Sequence, residues 1–147
     1  MKSNESDYVV FNWFDRTKSI HTGAGDDSIL DNSAASDSLY SGRGDDFIFT
    51  SAGRTRIHAG SGDDDIVVQA NTYTVQGFIR NPDGTKFLVQ YEQGYNVSVN
   101  GGPGHDVLTI EHSAGHRSWT DEDGSTHITM DNGESIVAKD IEEFHFV

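Results

Sequence analysis

From Ile20 to Ile66 the chain sets one large aliphatic side chain at nearly every ninth position: Ile20, Ile29, Leu39, Ile48, Ile57 and Ile66. Three of them close glycine-rich polar stretches, TGAGDDSIL (22–30), SGRGDDFIF (41–49) and AGSGDDDIV (59–67). A nine-residue period is too short for a helical repeat. It fits a six-residue turn followed by a three-residue strand whose middle side chain points inward. Between the glycine-rich units lie degenerate copies, NSAASDSLY from Asn32 and TSAGRTRIH from Thr50, and upstream WFDRTKSIH, which keep the aliphatic residue and lose most glycines. Strong turns therefore alternate with weak ones, with Asp31 read as a single inserted residue. Two units make one coil of a flattened parallel roll. The strong turns then stack on one edge and the weak turns on the other.

Glycines at the second and fourth places, among them Gly42, Gly44, Gly60 and Gly62, suit a backbone that enters φ > 0 or is closely approached. At the sixth place stand Asp27, Asp46 and Asp64, one coil apart, and coils stack about 4.8 Å apart as strands do. Two unit charges at that distance repel by up to ~4 kcal/mol at an effective dielectric near 20, so the ladder calls for a cation between its rungs. Carboxylate and carbonyl oxygens, without Cys or His at the sixth place, make a hard and flexible cage that suits Ca²⁺. One inward aliphatic residue per unit is a thin core, and bound metal is the obvious further stabilising term.

After Val68 the pattern changes to TYTVQGFIRNPDGTKFLVQYEQ, alternating strands around a Pro-Asp-Gly turn. That is a hairpin signal. The hairpin is read as an excursion (68–100) from the weak-turn edge, after which NVSVN leads into a fourth unit, GGPGHDVLT (101–109). Its turn is expected to stack on that at 59–64, which would complete a third metal position between Asp64 and Asp106. From Ile110 onward, short strands with DEDG and DNGE turns end on Phe144 and Phe146. The expected organisation is one all-β domain over 1–147: an N-terminal cap (1–21), roll repeats (22–67), the inserted hairpin (68–100), and the last repeat with a C-terminal β cap (101–147). Open roll ends expose apolar side chains and unpaired backbone, hence the caps.

Charge narrows the partners. With 24 acidic against 10 basic residues the formal net charge is −14, which repels phosphate backbones and anionic membranes, so no nucleic-acid partner is expected. No cysteine is present. The opening MKSNESDYVVFNWF holds no apolar run of signal-peptide length, and no later stretch approaches the roughly 20 apolar residues of a membrane span. Seven histidines raise zinc, with His112 and His116 beside His127 or His145. A HExxH helix is missing and zinc is not expected. Arg43-Gly44-Asp45 spells an adhesion tripeptide, but it falls inside a metal turn. The aspartates follow a structural period instead of pairing with a nucleophile in a pocket, so the chain is not expected to be an enzyme.

These units resemble the RTX (repeats-in-toxin) family, whose signature is Gly-Gly-x-Gly-x-Asp-x-apolar-x. GGPGHDVLT matches it in full, and the other three carry Thr, Ser or Ala for the first glycine. The resemblance implies a calcium-binding β-roll with Asp27, Asp46, Asp64 and Asp106 as side-chain ligands. It implies backbone oxygens from the same turns, at Thr22, Ala24, Asp26, Ser41, Gly42, Arg43, Gly44, Asp45, Ala59, Gly60, Ser61, Gly62 and Asp63. The carboxylates of Asp26, Asp45 and Asp63 would then point outward into solvent. It also implies a bacterial protein exported by a one-step type I route without an N-terminal signal, unfolded at low cytosolic calcium and folding outside, and part of a larger secreted protein. An alternative is a calcium-dependent carbohydrate-binding accessory module, since RTX modules of alginate epimerases are of similar size. Extracellular polysaccharide would then meet Arg54, Arg56, Arg80 and Lys86 with Phe78, Phe87 and Tyr91.

Overall fold

The computed structural model describes residues 5–11, 18–32, 36–51, 54–69, 72–80, 82–84, 86–94, 96–111, 115–131 and 133–147, with backbone alone for 11, 72–80 and 86–94. Every regular element among them is a strand. In chain order these are β1 (Tyr8–Phe11), β2 (Ser19–Ala24), β3 (Ser28–Asp31), β4 (Ser38–Arg43), β5 (Phe47–Thr50), β6 (Arg56–Ser61), β7 (Asp65–Gln69) and β8 (Thr72–Arg80). They continue with β9 (Lys86–Gly94), β10 (Asn96–Asn100), β11 (Val107–Glu111), β12 (His116–Thr120), β13 (Thr126–Met130), β14 (Ser135–Lys139) and β15 (Glu143–Phe146).

The chain crosses at each turn between two sheets. One has six strands in the order β1-β3-β5-β7-β11-β15, the other seven in the order β12-β13-β14-β10-β6-β4-β2. All pairings are parallel except β12 with β13 and β13 with β14 in the second sheet, and the separate hairpin of β8 with β9. This is an all-β parallel roll with an inserted hairpin. Its period-two burial follows from the pleat: Ile29, Ile48, Ile66 and Leu108 align in one sheet and Leu39, Ile57 and Val99 in the other, all inside.

Two details depart from expectation. Asp31 is not an insertion between units. It is the last residue of β3, pairs with Thr50 and is fully buried. The extra residue falls in the weak turn, where 32–37 is one longer than 51–55. A parallel ladder with one buried face cannot slip by one residue, so the turn absorbs it. The C-terminal part also does more than cover an end, because β14 pairs with β10 and β15 with β11, adding another coil to both sheets. β12 and β13 precede it as a second antiparallel excursion. Both excursions leave from the weak-turn edge, β8 and β9 between β7 and β10, β12 and β13 between β11 and β14.

Candidate metal centre

On the strong-turn edge the turns stack in register across the hairpin. Gly25 N–H donates to the carbonyl of Arg43, Gly44 N–H to Ser61, and Gly62 N–H to Pro103, at 2.9, 2.9 and 3.1 Å. Gly42 (φ 118°) and Gly62 (φ 134°) show why glycine is required, since a Cβ on either would collide with the carbonyl of the glycine one coil before, Gly23 and Gly44. Positive φ and close approach both apply. At the first place, buried Thr22 and Ser41 donate their hydroxyls to the carbonyls of Ser41 and Ala59 at 2.9 and 2.7 Å. Gly101 has no hydroxyl; a Cβ there would strike the carboxylate of Asp106 and the carbonyl of Asp140.

The sixth-place carboxylates form a ladder of their own. Asp46 Oδ1 accepts the Asp27 N–H at 2.8 Å, Asp64 Oδ1 the Asp46 N–H at 2.9 Å, and Asp106 Oδ1 the Asp64 N–H at 2.9 Å. Each reaches back one coil, because a single methylene spans the strand spacing. Amide capping alone would be a structural reason for aspartate at this place. It uses only one oxygen, however. Oδ2 of Asp27, Asp46, Asp64 and Asp106 is buried in all four and has no hydrogen-bond partner. A buried carboxylate oxygen without a partner is costly unless a cation meets it. Burial pushes the carboxyls of Asp46, Asp64 and Asp106 up, Asp64 to about 7, where the charges of Asp46 and Asp106 add to the effect. Charge density without counter-charge is what a divalent ion would relieve.

The donor set fits a hard cation. Among the described residues no three His, Asp or Glu side chains converge as a ready cluster, so each gap between coils offers one carboxylate and otherwise backbone oxygens. Several of those carbonyls already accept one hydrogen bond, as at Ser41, Arg43, Ala59 and Ser61, and a carbonyl oxygen has a second lone pair. Flexible, all-oxygen coordination of this kind is the calcium type.

Two ladder members escaped sequence reasoning. Asp7 N–H donates to Asp27 Oδ1 at 2.8 Å, and Glu142 Oε2 accepts the Asp106 N–H at 2.8 Å, so the row ends on a backbone amide at one side and on a carboxylate at the other. The available signal was position alone: each immediately precedes a strand, or stands one residue short of the β15 pairing, without the glycines around it. At the C-terminal end the turn shrinks to 140–142, with Asp140 at φ 52°, too short to offer the loop of carbonyls found at 101–106.

The fifth-place aspartates are exposed, but their carboxylates do not simply point into solvent. Asp26 Oδ1 accepts the Asp45 N–H, Asp45 Oδ1 the Asp63 N–H and Asp63 Oδ1 the His105 N–H, at 3.0, 2.9 and 2.9 Å. This outer ladder reaches forward one coil where the inner one reaches back. Arg43-Gly44-Asp45 lies within it. The histidines considered for zinc stand apart: His116 stacks on Phe146, His127 bonds Asp121 at 2.6 Å, and His145 bonds Glu143 at 2.5 Å, while His112 lies outside the described residues. The side chains of Phe78, Arg80, Lys86, Phe87 and Tyr91 also lie outside them.

The family model of the RTX calcium-binding nonapeptide repeat, in four copies, matches residues 31–66. That span holds the strong turns at 41–46 and 59–64 and both weak ones beside them. The turns at 22–27 and 101–106 join the same stack in the structure. No curated protein matches the chain.

Proposed function

We propose that this chain is a calcium-folded RTX β-roll module of an exported bacterial protein, which acts by binding and not by catalysis. Four buried aspartate oxygens in one row, each without a partner, carry the proposal. Asp27, Asp46, Asp64 and Asp106 would hold the ions together with carbonyls of the turns at 22–27, 41–46, 59–64 and 101–106. Bound calcium supplies the positive charge that lets adjacent coils close on one another. The chain's own residues supply the rest: amide-capped carboxylates fixed in direction, glycines that let turns stack, and an aliphatic core that two sheets bury. Folding then waits for a calcium-rich medium, which suits export of an unfolded chain through a type I route and assembly outside as part of a larger protein. Calorimetric calcium titration of the chelated chain, followed in parallel by circular dichroism, tests this. More than one ion per chain and a calcium-driven gain of β signal are expected. No heat of binding and an unchanged spectrum would refute the proposal.

A further inference from the structure

The outer face of the six-stranded sheet serves neither the core nor the calcium ladder, yet it is apolar over much of its first four strands. Cross-strand register places Val10, Leu30, Phe49 and Val67 in one row over β1, β3, β5 and β7, with Tyr8 and Phe47 in the row beside it. Each of the six alternates along its strand with a buried core residue, Val9, Ile29, Ile48 or Ile66, and so lies outward. Tyr8 is 69% and Val10 43% exposed, and the other four are half-buried. The roll's period does not demand this. In the other sheet the same seventh and ninth places, on β4 and β6, hold Ser38, Tyr40, Arg56 and His58.

Fixed charge on this face has one sign. Asp65, Glu111 and Glu143 lie outward beside the apolar rows and no Lys or Arg does. The strong-turn edge alongside adds the exposed Asp26, Asp45 and Asp63, two residues before Ser28, Phe47 and Asp65. A contiguous apolar patch with a charged rim is the signature of a docking surface. A second copy of the chain suits it poorly, because it brings a further formal charge of −14 and the same acidic rim. Among its described residues the chain also has no helix to offer.

We infer that this face docks a basic amphipathic helix presented by a partner protein. A helix satisfies its own backbone hydrogen bonds and covers a sheet face as a single segment. Its apolar stripe returns about every 5.4 Å, close to the ~4.8 Å between the strands that carry Val10, Leu30, Phe49 and Val67. That row spans about 14 Å, the length of about ten helical residues. Lysine and arginine flanking the stripe meet Asp65, Glu111 and the acids of the strong-turn edge, which orient the helix and speed encounter, while the apolar rows supply most of the affinity. The inference needs the roll to be folded but is otherwise independent of how many ions the strong turns hold.

The test titrates the calcium-loaded chain, by fluorescence anisotropy, into three labelled peptides of about fourteen residues: leucine and lysine with the leucines on one helical face, a scramble of the same composition, and the patterned peptide with glutamate for lysine. The patterned basic peptide should bind, more weakly as salt rises, the scramble about tenfold less tightly or worse, and the acidic peptide not at all. Phe49→Ser with Val67→Ser, both outside the core, should lower affinity about tenfold or more. Asp65→Asn with Glu111→Gln should lower it less and flatten its salt dependence. Ser98→Ala, on the outer face of the other sheet, should change nothing. Calcium-induced circular dichroism of every variant separates loss of the fold from loss of docking, and sedimentation velocity of the chain alone reads self-association. Absence of binding with the calcium response intact, equal binding of the scramble, indifference to both double variants, or a dimer that Phe49→Ser with Val67→Ser abolishes would overturn it, the last by giving the face to a second copy.

Discussion

Both edges of the roll bury aspartates, and they treat them differently. On the weak-turn edge Asp31 Oδ2 accepts the hydroxyls of Thr50 and Thr55 at 3.2 and 3.4 Å, and Asp37 Oδ1 accepts the Lys18 N–H at 2.7 Å. On the strong-turn edge each sixth-place carboxylate has one amide-capped oxygen and one with no partner. The same residue at the same burial is met by protein hydroxyls at Asp31 on one edge and keeps an unpartnered oxygen at each sixth place on the other. Among the described residues, unpartnered buried aspartate oxygens are therefore confined to one edge, which composition alone does not decide.

Chelation should separate the edges most. Without calcium the strong-turn edge holds buried charges that nothing offsets, and loss of most β signal is expected, restored by calcium but not by magnesium, which demands tighter octahedral geometry. A spectrum indifferent to thorough chelation would show that the weak edge and core suffice. Next in size, Asp46→Ala takes a carboxylate from the middle of the ladder and uncaps the Asp27 N–H. Each ion forfeited costs about 2.7 kcal/mol when calcium is a hundredfold above its dissociation constant. Calorimetry should show fewer bound ions, with Asn at 46 milder because its carbonyl oxygen can still ligate.

Asp31→Ala sharpens the contrast from the other side. It removes the acceptor that the buried hydroxyls of Thr50 and Thr55 share, leaving their mutual contact at 3.3 Å, a cost of about 1 to 3 kcal/mol, and should lower the melting temperature while the number of ions stays the same. A change in stoichiometry would mean that the weak edge also holds metal. Glu134, buried where the β13–β14 turn reaches this edge, is pushed up by burial to about 8 from an ordinary 4.5. Folded, Glu134 holds a proton that it releases in the unfolded chain, so its own contribution to stability is full below about pH 4.5 and is lost as pH rises through 8. Thermal melts of Glu134→Gln at fixed calcium should show a flatter profile across that window; an identical profile would place the pH response elsewhere. Smallest of all, Asp45→Ala removes one exposed bond of the outer ladder and should leave the ion count unchanged. If it proved as harmful as Asp46→Ala, the division of labour between fifth and sixth places would fall.

Much of the roll was legible because its determinants repeat. An aliphatic residue every ninth position specifies coil length, and glycines at the second and fourth places mark turns that only glycine can stack. The row of Asp27, Asp46, Asp64 and Asp106 follows from that period, even across the hairpin, because Val97 and Val99 restore the alternation before the fourth turn. What lay outside the repeat was not legible. Asp7 and Glu142 join the ladder from turns with no signature, the fifth-place carboxylates bond amides one coil ahead, and Asp31 turns inward to meet Thr50 and Thr55. Each depends on which coil lies next to which, and a parallel pairing brings together residues 18 to 42 positions apart that no local pattern links. Sequence by itself determined the unit and its chemistry, since a turn's φ angles and a strand's alternation are local. Tertiary stacking decided which oxygens are capped and which are left for a cation, and gathered outward apolar side chains onto one sheet, because partners and burial exist only once the coils are packed.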